Sequence, residues 1–319
     1  MAGLNESRLA ALKQKGDAPE WMHENGYRML TNGYLQKTET PKDMYRRISA
    51  SAAKRLMRPD WAEKFFEIMW KGWLCPATPV AANMGTKKGL PISCYGLFVP
   101  DSISGIGSTI AEMKTLAKHG GGLGIYWGGV RGRGAGIGVD TNGHPTLGHS
   151  EGVMPFLKEQ DSATHATNQG STRRGASAAY LPIEHPDVKE FLYMRKPQAD
   201  HNKECGNIHH GITITDEFMK KVYAGDTDAT ELFTEVLMLR MQTGEPYVCY
   251  IDNANRQLPI SYVVNNLKVL APQLCTEIFL FMDEWHTYVC CLSSMNLYKW
   301  DEWKDTDAVF WSTVMLDGV

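Results

Sequence analysis

The chain has 319 residues, 43% of them apolar, and a formal charge of −3. That length holds one large domain or two ordinary ones, and the apolar share is that of a globular core. The charge balance excludes a basic nucleic-acid surface, and no apolar run approaches a membrane span, so neither kind of partner is expected.

Residues 1–72 read as a helical region. Thr40 suits an N-cap, Pro41 the first helical position, and Asp43 completes a capping-box pattern. From Asp60, Trp61, Phe65, Ile68 and Met69 recur at helical spacing, and the run stops near Gly72. The start, Met1-Ala2-Gly3-Leu4-Asn5-Glu6, has no signal-peptide core, so a cytoplasmic chain with reduced thiols is expected.

A different texture begins at Cys75: glycine is dense and apolar runs are short. Residues 95–99 and 123–127 read as strands, with a helix over 102–118 carrying Ile106, Ile110, Met113 and Leu116 on one side. Later helices are expected over 186–195, 216–223 and 230–242, and strands over 211–215 and 247–251. The run Ile278-Phe279-Leu280-Phe281-Met282 has the length of a buried strand. Such alternation predicts an α/β architecture. An amphipathic helix is expected over 307–316, and the stop at Val319 reads as a cut through a domain.

Seven cysteines is an odd count, and no pair has the two-residue gap of a redox or zinc motif. Three lie in distinct contexts: Cys94 in Ile92-Ser93-Cys94-Tyr95, Cys275 in Gln273-Leu274-Cys275-Thr276-Glu277, and Cys290 in Cys290-Cys291-Leu292-Ser293. In an extended segment Cys275 and Glu277 share a face, so a thiol and a carboxylate could meet one substrate. The plain alternative is a buried strand cysteine beside a surface glutamate. For Cys75, Cys205, Cys249 and Cys291 the reading is a packed small hydrophobe.

The run Gly120-Gly121-Gly122-Leu123-Gly124 lacks the Lys-Ser/Thr ending of a phosphate loop and fails the dinucleotide fingerprint. It suits either close backbone approach to a ligand or a plain tight turn. Arg131-Gly132-Arg133-Gly134 and Ser171-Thr172-Arg173-Arg174-Gly175 set guanidinium groups among small residues, which suits phosphate recognition or a solvated cluster. Asp101-Ser102 opens a helix as an ordinary N-cap. The ten histidines show no metal-ligand pattern, and the adjacent His209 and His210 would face opposite sides of a strand.

From about Trp73 to Leu297 these motifs together resemble the large, catalytic α subunit of ribonucleotide reductase, class I in type. The carriers are Ala77-Thr78-Pro79, Ser93-Cys94, the stretch from His119 to Gly124, Thr172-Arg173-Arg174-Gly175-Ala176, Gln273-Leu274-Cys275-Thr276-Glu277 and Cys290-Cys291-Leu292-Ser293. Tyr95 to Ser102 has the texture of phage or bacterial members. The resemblance implies a helical N-terminal region (1–72) and, over 73–319, part of a ten-stranded α/β barrel with an inner finger loop. Cys275 would be the transient thiyl radical at the fingertip and Glu277 the acceptor of the substrate's 3′-hydroxyl proton. Cys94 and Cys290 would supply two electrons and end as a disulfide. Thr78, Ser93, Gly121 and Gly122 match substrate-pocket positions. Asp101, Ser102 and Arg131 match the site of a deoxynucleoside triphosphate or ATP effector, and Arg173 and Arg174 the loop that links it to the substrate base.

The implied activity is reduction of ribonucleotides, read as diphosphates, to deoxyribonucleotides. The radical would come from a metal-containing β subunit, with adenosylcobalamin as the alternative source and no metal or cofactor held by this chain itself. Implied partners are a complementary C-terminal α chain, a thioredoxin- or glutaredoxin-type reductant, and a second copy meeting the 102–118 helix in a homodimer. A non-catalytic nucleotide-binding remnant of the same fold is the second reading. Gln273 departs from the Asn usual in the family, and no ATP-cone is recognisable.

Overall fold

The computed structural model describes residues 2–138, 140, 144, 146–167, 173–197 and 200–319. The Ser171-Thr172 part of one arginine motif lies outside them. Eight strands occur among the described residues: β1 (Leu74–Pro76), β2 (Cys94–Phe98), β3 (Gly122–Tyr126), β4 (Ala176–Pro182), β5 (His209–Ile214), β6 (Tyr247–Tyr250), β7 (Tyr288–Cys290) and β8 (Ser293–Met295). The chain divides into two units, Met1–Ser93 with Gly170–Arg173 and Cys290–Val319, and Cys94–Gln169 with Arg174–Val289.

The first unit is helical. Thr40 accepts the Asp43 N–H, the Asp43 carboxylate accepts the Thr40 N–H, and Pro41 opens the Pro41–Arg55 helix as its sequence predicts. That helix turns Met44, Ile48 and Ala52 inward against Phe65 and Met69 of Ala62–Trp70. The Ala308–Asp317 helix joins the same core through Ala308 and Met315, while Val309 and Phe310 stay exposed. Trp311 packs edge-on against Trp61 and Phe65, ring centroids 5.6 and 6.1 Å away. Antiparallel pairing of β1 with β8 ties residues 74–76 to 293–295.

The second unit carries a sheet in the order β6-β5-β4-β3-β2-β7, and the pairs from β2 to β6 are parallel. Helices Ile103–Lys118, Met154–Thr167, Val188–Leu192, Asp216–Tyr223 and Thr227–Thr243 lie between successive strands. Ser102 caps the first of these through the Gly105 N–H at 3.0 Å, as expected for that position. Thr227–Thr243 starts three residues earlier than its apolar spacing suggests, because Asp226 accepts the Ala229 N–H and caps it there. Val188–Leu192 is shorter than expected: the Asp187 carboxylate is taken by the Arg133 and Val153 N–H groups at 2.8 and 2.9 Å.

Strand alternation gives the sheet two unlike faces. Leu123, Ile125, Ala179 and Leu181 point one way into a fully buried layer. On the other face small residues stand in register: Cys94 beside Gly122 beside Ala176, then Gly96 beside Gly124 beside Ala178. That shallow row is the floor on which residues 272–274 rest.

The residues 278–282 form no strand. Ile278 spends its N–H on the Gln273 side chain and its carbonyl on the Gln273 N–H, a local clasp that replaces a ladder. Cys205 and Cys249 are core residues whose thiols burial pushes up to about 12. Cys75 is exposed and Cys291 half-buried, so the packed-hydrophobe reading fails for both.

His209 and His210 differ in burial as a strand requires, the first side chain 39% exposed and the second 2%. Both Nδ1 atoms nevertheless reach Glu245, at 2.5 and 3.0 Å, and the Arg195 guanidinium reaches it at 2.9 Å. Burial pushes the Glu245 carboxyl up, but the two histidine hydrogen bonds and the Arg195 charge outweigh it and hold the group below the usual carboxylate range. Glu245→Ala should therefore lower unfolding stability by about 2 kcal/mol near neutral pH. A lowered folded-state value means the contribution is whole above the unfolded carboxylate value near ~4.3 and disappears as pH falls below it. Urea unfolding of both proteins across this range checks the sign: the gap between them should shrink on the acid side.

Candidate active site

Cys275 stands at the apex of a tight turn. The Thr276 N–H donates to the Gln273 carbonyl at 3.2 Å, and Thr276 takes a left-handed φ of 68°. Cys275 and Glu277 are both exposed while Gln273 is wholly buried. The segment is not extended, so strand alternation does not put Cys275 and Glu277 on one face. Gln273 forms the base of the turn: its Oε1 accepts the Ile278 N–H at 2.9 Å, and its carbonyl accepts the Tyr180 hydroxyl at 2.9 Å.

The loop approaches the sheet at two glycines. A Cβ on Gly124 would lie 2.4 Å from the Pro272 carbonyl oxygen and 2.6 Å from the Gln273 Cα. A Cβ on Gly122 would lie 2.9 Å from both the Cys94 Sγ and a Leu274 methyl. Cys94 and the residue next to Cys275 thus meet over one glycine. The glycine run therefore makes a close approach, to another segment of the chain itself. Gly121 is buried with the Tyr95 ring and the Leu116 carbonyl in the place a side chain would need. Cys94 is 2% exposed.

Four expected site residues, Thr78, Ser93, Arg173 and Cys290, belong to the helical unit. The Ser93 N–H donates to the Cys290 carbonyl at 3.0 Å, and the Ser93 carbonyl accepts from the Arg173 guanidinium at 3.0 Å. Thr78 shares a 2.9 Å hydrogen bond with the Tyr34 hydroxyl and lines a cleft of about 390 Å³ with Trp21, Tyr45 and Cys75.

The other effector candidates lie in the sheet unit. Asp101 and Arg131, both expected at the effector site, pair with each other at 2.9 Å, and Arg131 also donates to the Gly136 carbonyl at 2.7 Å. Ser102 is engaged as the helix cap, and Arg174 is exposed. The apolar stripe on the Ile103–Lys118 helix is not spare: Ile106, Ile110 and Met113 are buried in their own unit. Ile103, the first residue of the helix, is 77% exposed.

Sequence reasoning read Gly124 only as the end of the glycine run and passed over Tyr180, which sits in β4 with no motif around it. Among the described residues no group of three His, Cys, Asp or Glu side chains could hold a metal ion, and no helix is long and apolar enough to cross a membrane.

A parallel sheet whose floor of small residues receives a loop with a cysteine at its apex is the core of the second unit, and family patterns cover it. The pattern described as "Ribonucleotide reductase, all-alpha domain" matches residues 21–89, and "Ribonucleotide reductase, barrel domain" matches 92–227 and 224–317. The chain belongs to the ribonucleotide reductase large-subunit family. It is 40% identical over 277 residues to the putative ribonucleoside-diphosphate reductase large subunit of Frog virus 3, covering 82% of this chain and 46% of that protein. It is 31% identical over 299 residues to the ribonucleoside-diphosphate reductase subunit alpha of Helicobacter pylori, covering 80% of this chain and 37% of that protein. The solved class Id ribonucleotide reductase alpha subunit of Actinobacillus ureae superposes with a TM-score of 0.81 at 34% identity, over 93% of this chain and 54% of that one. The chain therefore spans about half the length, or less, of these relatives.

Proposed function

We propose that this chain is the thiol-bearing part of a ribonucleoside-diphosphate reductase and works in the cytoplasm. The observation that carries this reading is Cys275 at the exposed apex of a turn whose base is buried against β3 and β4, with Cys94 beside the adjoining Leu274. A thiyl at Cys275 removes the 3′ hydrogen of the ribonucleotide, and Glu277 takes the 3′-hydroxyl proton. The 2′-hydroxyl leaves as water with a proton from the Cys94 and Cys290 thiols. The same pair gives two electrons, its second proton goes to C2′, and the two sulfurs are left joined. Cys275 then returns the hydrogen to C3′ and is regenerated as thiyl, while Glu277 gives its proton back to the 3′-oxygen. Thr78, Ser93, Gly121 and Gly122 are assigned to the substrate pocket. Gln273, whose side chain is wholly buried, is assigned to holding the catalytic turn.

The similarity to a class Id α subunit favours a radical delivered by a separate β subunit over adenosylcobalamin. A complementary α segment would complete the barrel, a thioredoxin- or glutaredoxin-type protein would re-reduce the thiol pair, and a second copy would form a dimer. The test is reconstitution of the chain with a complementary α segment, a β subunit and a dithiol reductant. Deoxyribonucleoside diphosphate should form only when all are present. A complete mixture that binds nucleotide and makes no product would favour the non-catalytic remnant.

The effector site is proposed around Asp101, Ser102 and Arg131, with Arg173 and Arg174 carrying its state towards the substrate base. An incoming triphosphate competes with Asp101 for the Arg131 guanidinium. Arg131→Ala removes a charge-assisted donor, so deoxynucleoside triphosphate affinity should fall about tenfold or more. Equilibrium dialysis measures this, and unchanged affinity would remove Arg131 from the site.

A further inference from the structure

We infer that Tyr180 is a positioning residue for the Cys275 turn and acts through Gln273. The inference rests on the reading of Cys275 as the reacting thiol. The turn is not stable by its own geometry: Thr276, a β-branched residue, holds a φ of 68°, a region such residues avoid. Something outside the turn must keep it in place.

Tyr180 supplies that hold from the sheet. It lies in β4 with 0% exposure, and a buried phenol needs a partner for its hydroxyl. The partner is the Gln273 carbonyl at 2.9 Å, the same oxygen that accepts the Thr276 N–H. Burial raises the phenol far above its ordinary range and a hydrogen bond with Thr276 offsets only part of this, so the hydroxyl keeps its proton at any working pH. One hydroxyl thus engages both the base and the strained corner of the turn.

Gln273 passes the hold to the other arm. Its N–H and Oε1 meet the carbonyl and N–H of Ile278 at 3.2 and 2.9 Å. Its Nε2 is buried and has no partner among the described residues. Amide oxygen and backbone fasten the turn. Gln in place of Asn fits this arrangement, since the longer side chain spans the clasp.

Tyr180 touches the turn and no reacting atom, so its loss should disperse the position of Cys275 without removing a substrate contact. Misplacement of a reacting group by about 1 Å costs on the order of a hundredfold in rate. Tyr180→Phe keeps the ring and removes only the hydroxyl. In the reconstituted enzyme kcat should fall roughly 10- to 100-fold, with KM changed less than about threefold. In the 319-residue chain by itself, amide exchange of the peptide spanning Gln273–Ile278 should quicken at least about tenfold, while peptides from β3 and β4 keep their protection. The exchange measurement needs no radical source, so it reports on the inference even if the wild-type assembly makes no deoxynucleotide, a result that would count against the proposed function alone. Unchanged exchange, or wild-type kcat, would overturn the role. So would a general loss of protection across the sheet or of the melting transition, which would make Tyr180 an ordinary core residue.

Discussion

Gly124→Ala should reduce turnover of the reconstituted enzyme by about a hundredfold or more, although it adds a single methyl group. The methyl would enter space held by the Pro272 carbonyl oxygen at 2.4 Å, the Gln273 Cα at 2.6 Å and the Gln273 carbonyl carbon at 2.8 Å. These are backbone atoms, so no side chain can swing aside. Either β3 or the loop must move, and the loop is the less supported of the two, since it forms no ladder. Overpacking of this kind costs about 1 to 3 kcal/mol in stability, which a folded unit can survive. Cys275, three residues beyond Pro272, would be carried with the displaced backbone. Gly107→Ala is the control: its Cβ would meet nothing within 4 Å in the Ile103–Lys118 helix, and alanine there should stabilise by about 0.5 to 1 kcal/mol. Melting curves and steady-state kinetics of the two variants separate a local displacement from a general loss of fold. Wild-type kcat in Gly124→Ala would show that the contact does not set the position of the thiol.

The features legible in the sequence are those whose physical cause is local. Thr40 with Asp43, and Ser102, announce helix starts because a cap is settled within three residues. The α/β architecture was legible from alternating helical and extended texture, since each strand and its crossover helix carry their own periodicity. The turn at Cys275 was not. Its apolar neighbours at 278–282 read as a strand because composition alone cannot tell a ladder from the clasp that Gln273 makes on Ile278. Gly124 was legible as a place of close approach but not as the seat of Pro272, whose backbone arrives from a distant part of the chain. Asp101 and Arg131 each looked available to a ligand, because sequence does not reveal that thirty positions bring them into one ion pair. For Cys94 the family resemblance alone carried the assignment, and its place near Gly122 could not be read from spacing.

The central claim is that the Cys275 sulfur is the atom that starts nucleotide reduction, and Cys275→Ser tests it most directly. Serine keeps the turn, since the backbone bonds at Gln273, Thr276 and Ile278 do not involve the sulfur. It replaces a thiol that gives up a hydrogen atom readily with a hydroxyl whose O–H bond is far stronger. The measurement is deoxyribonucleoside diphosphate formed by the reconstituted assembly carrying Cys275→Ser, beside the wild type, with nucleotide binding followed in the same samples. Product should fall to the assay background while substrate still binds within about threefold of wild type. Deoxynucleotide formation at the wild-type rate by Cys275→Ser would contradict the account.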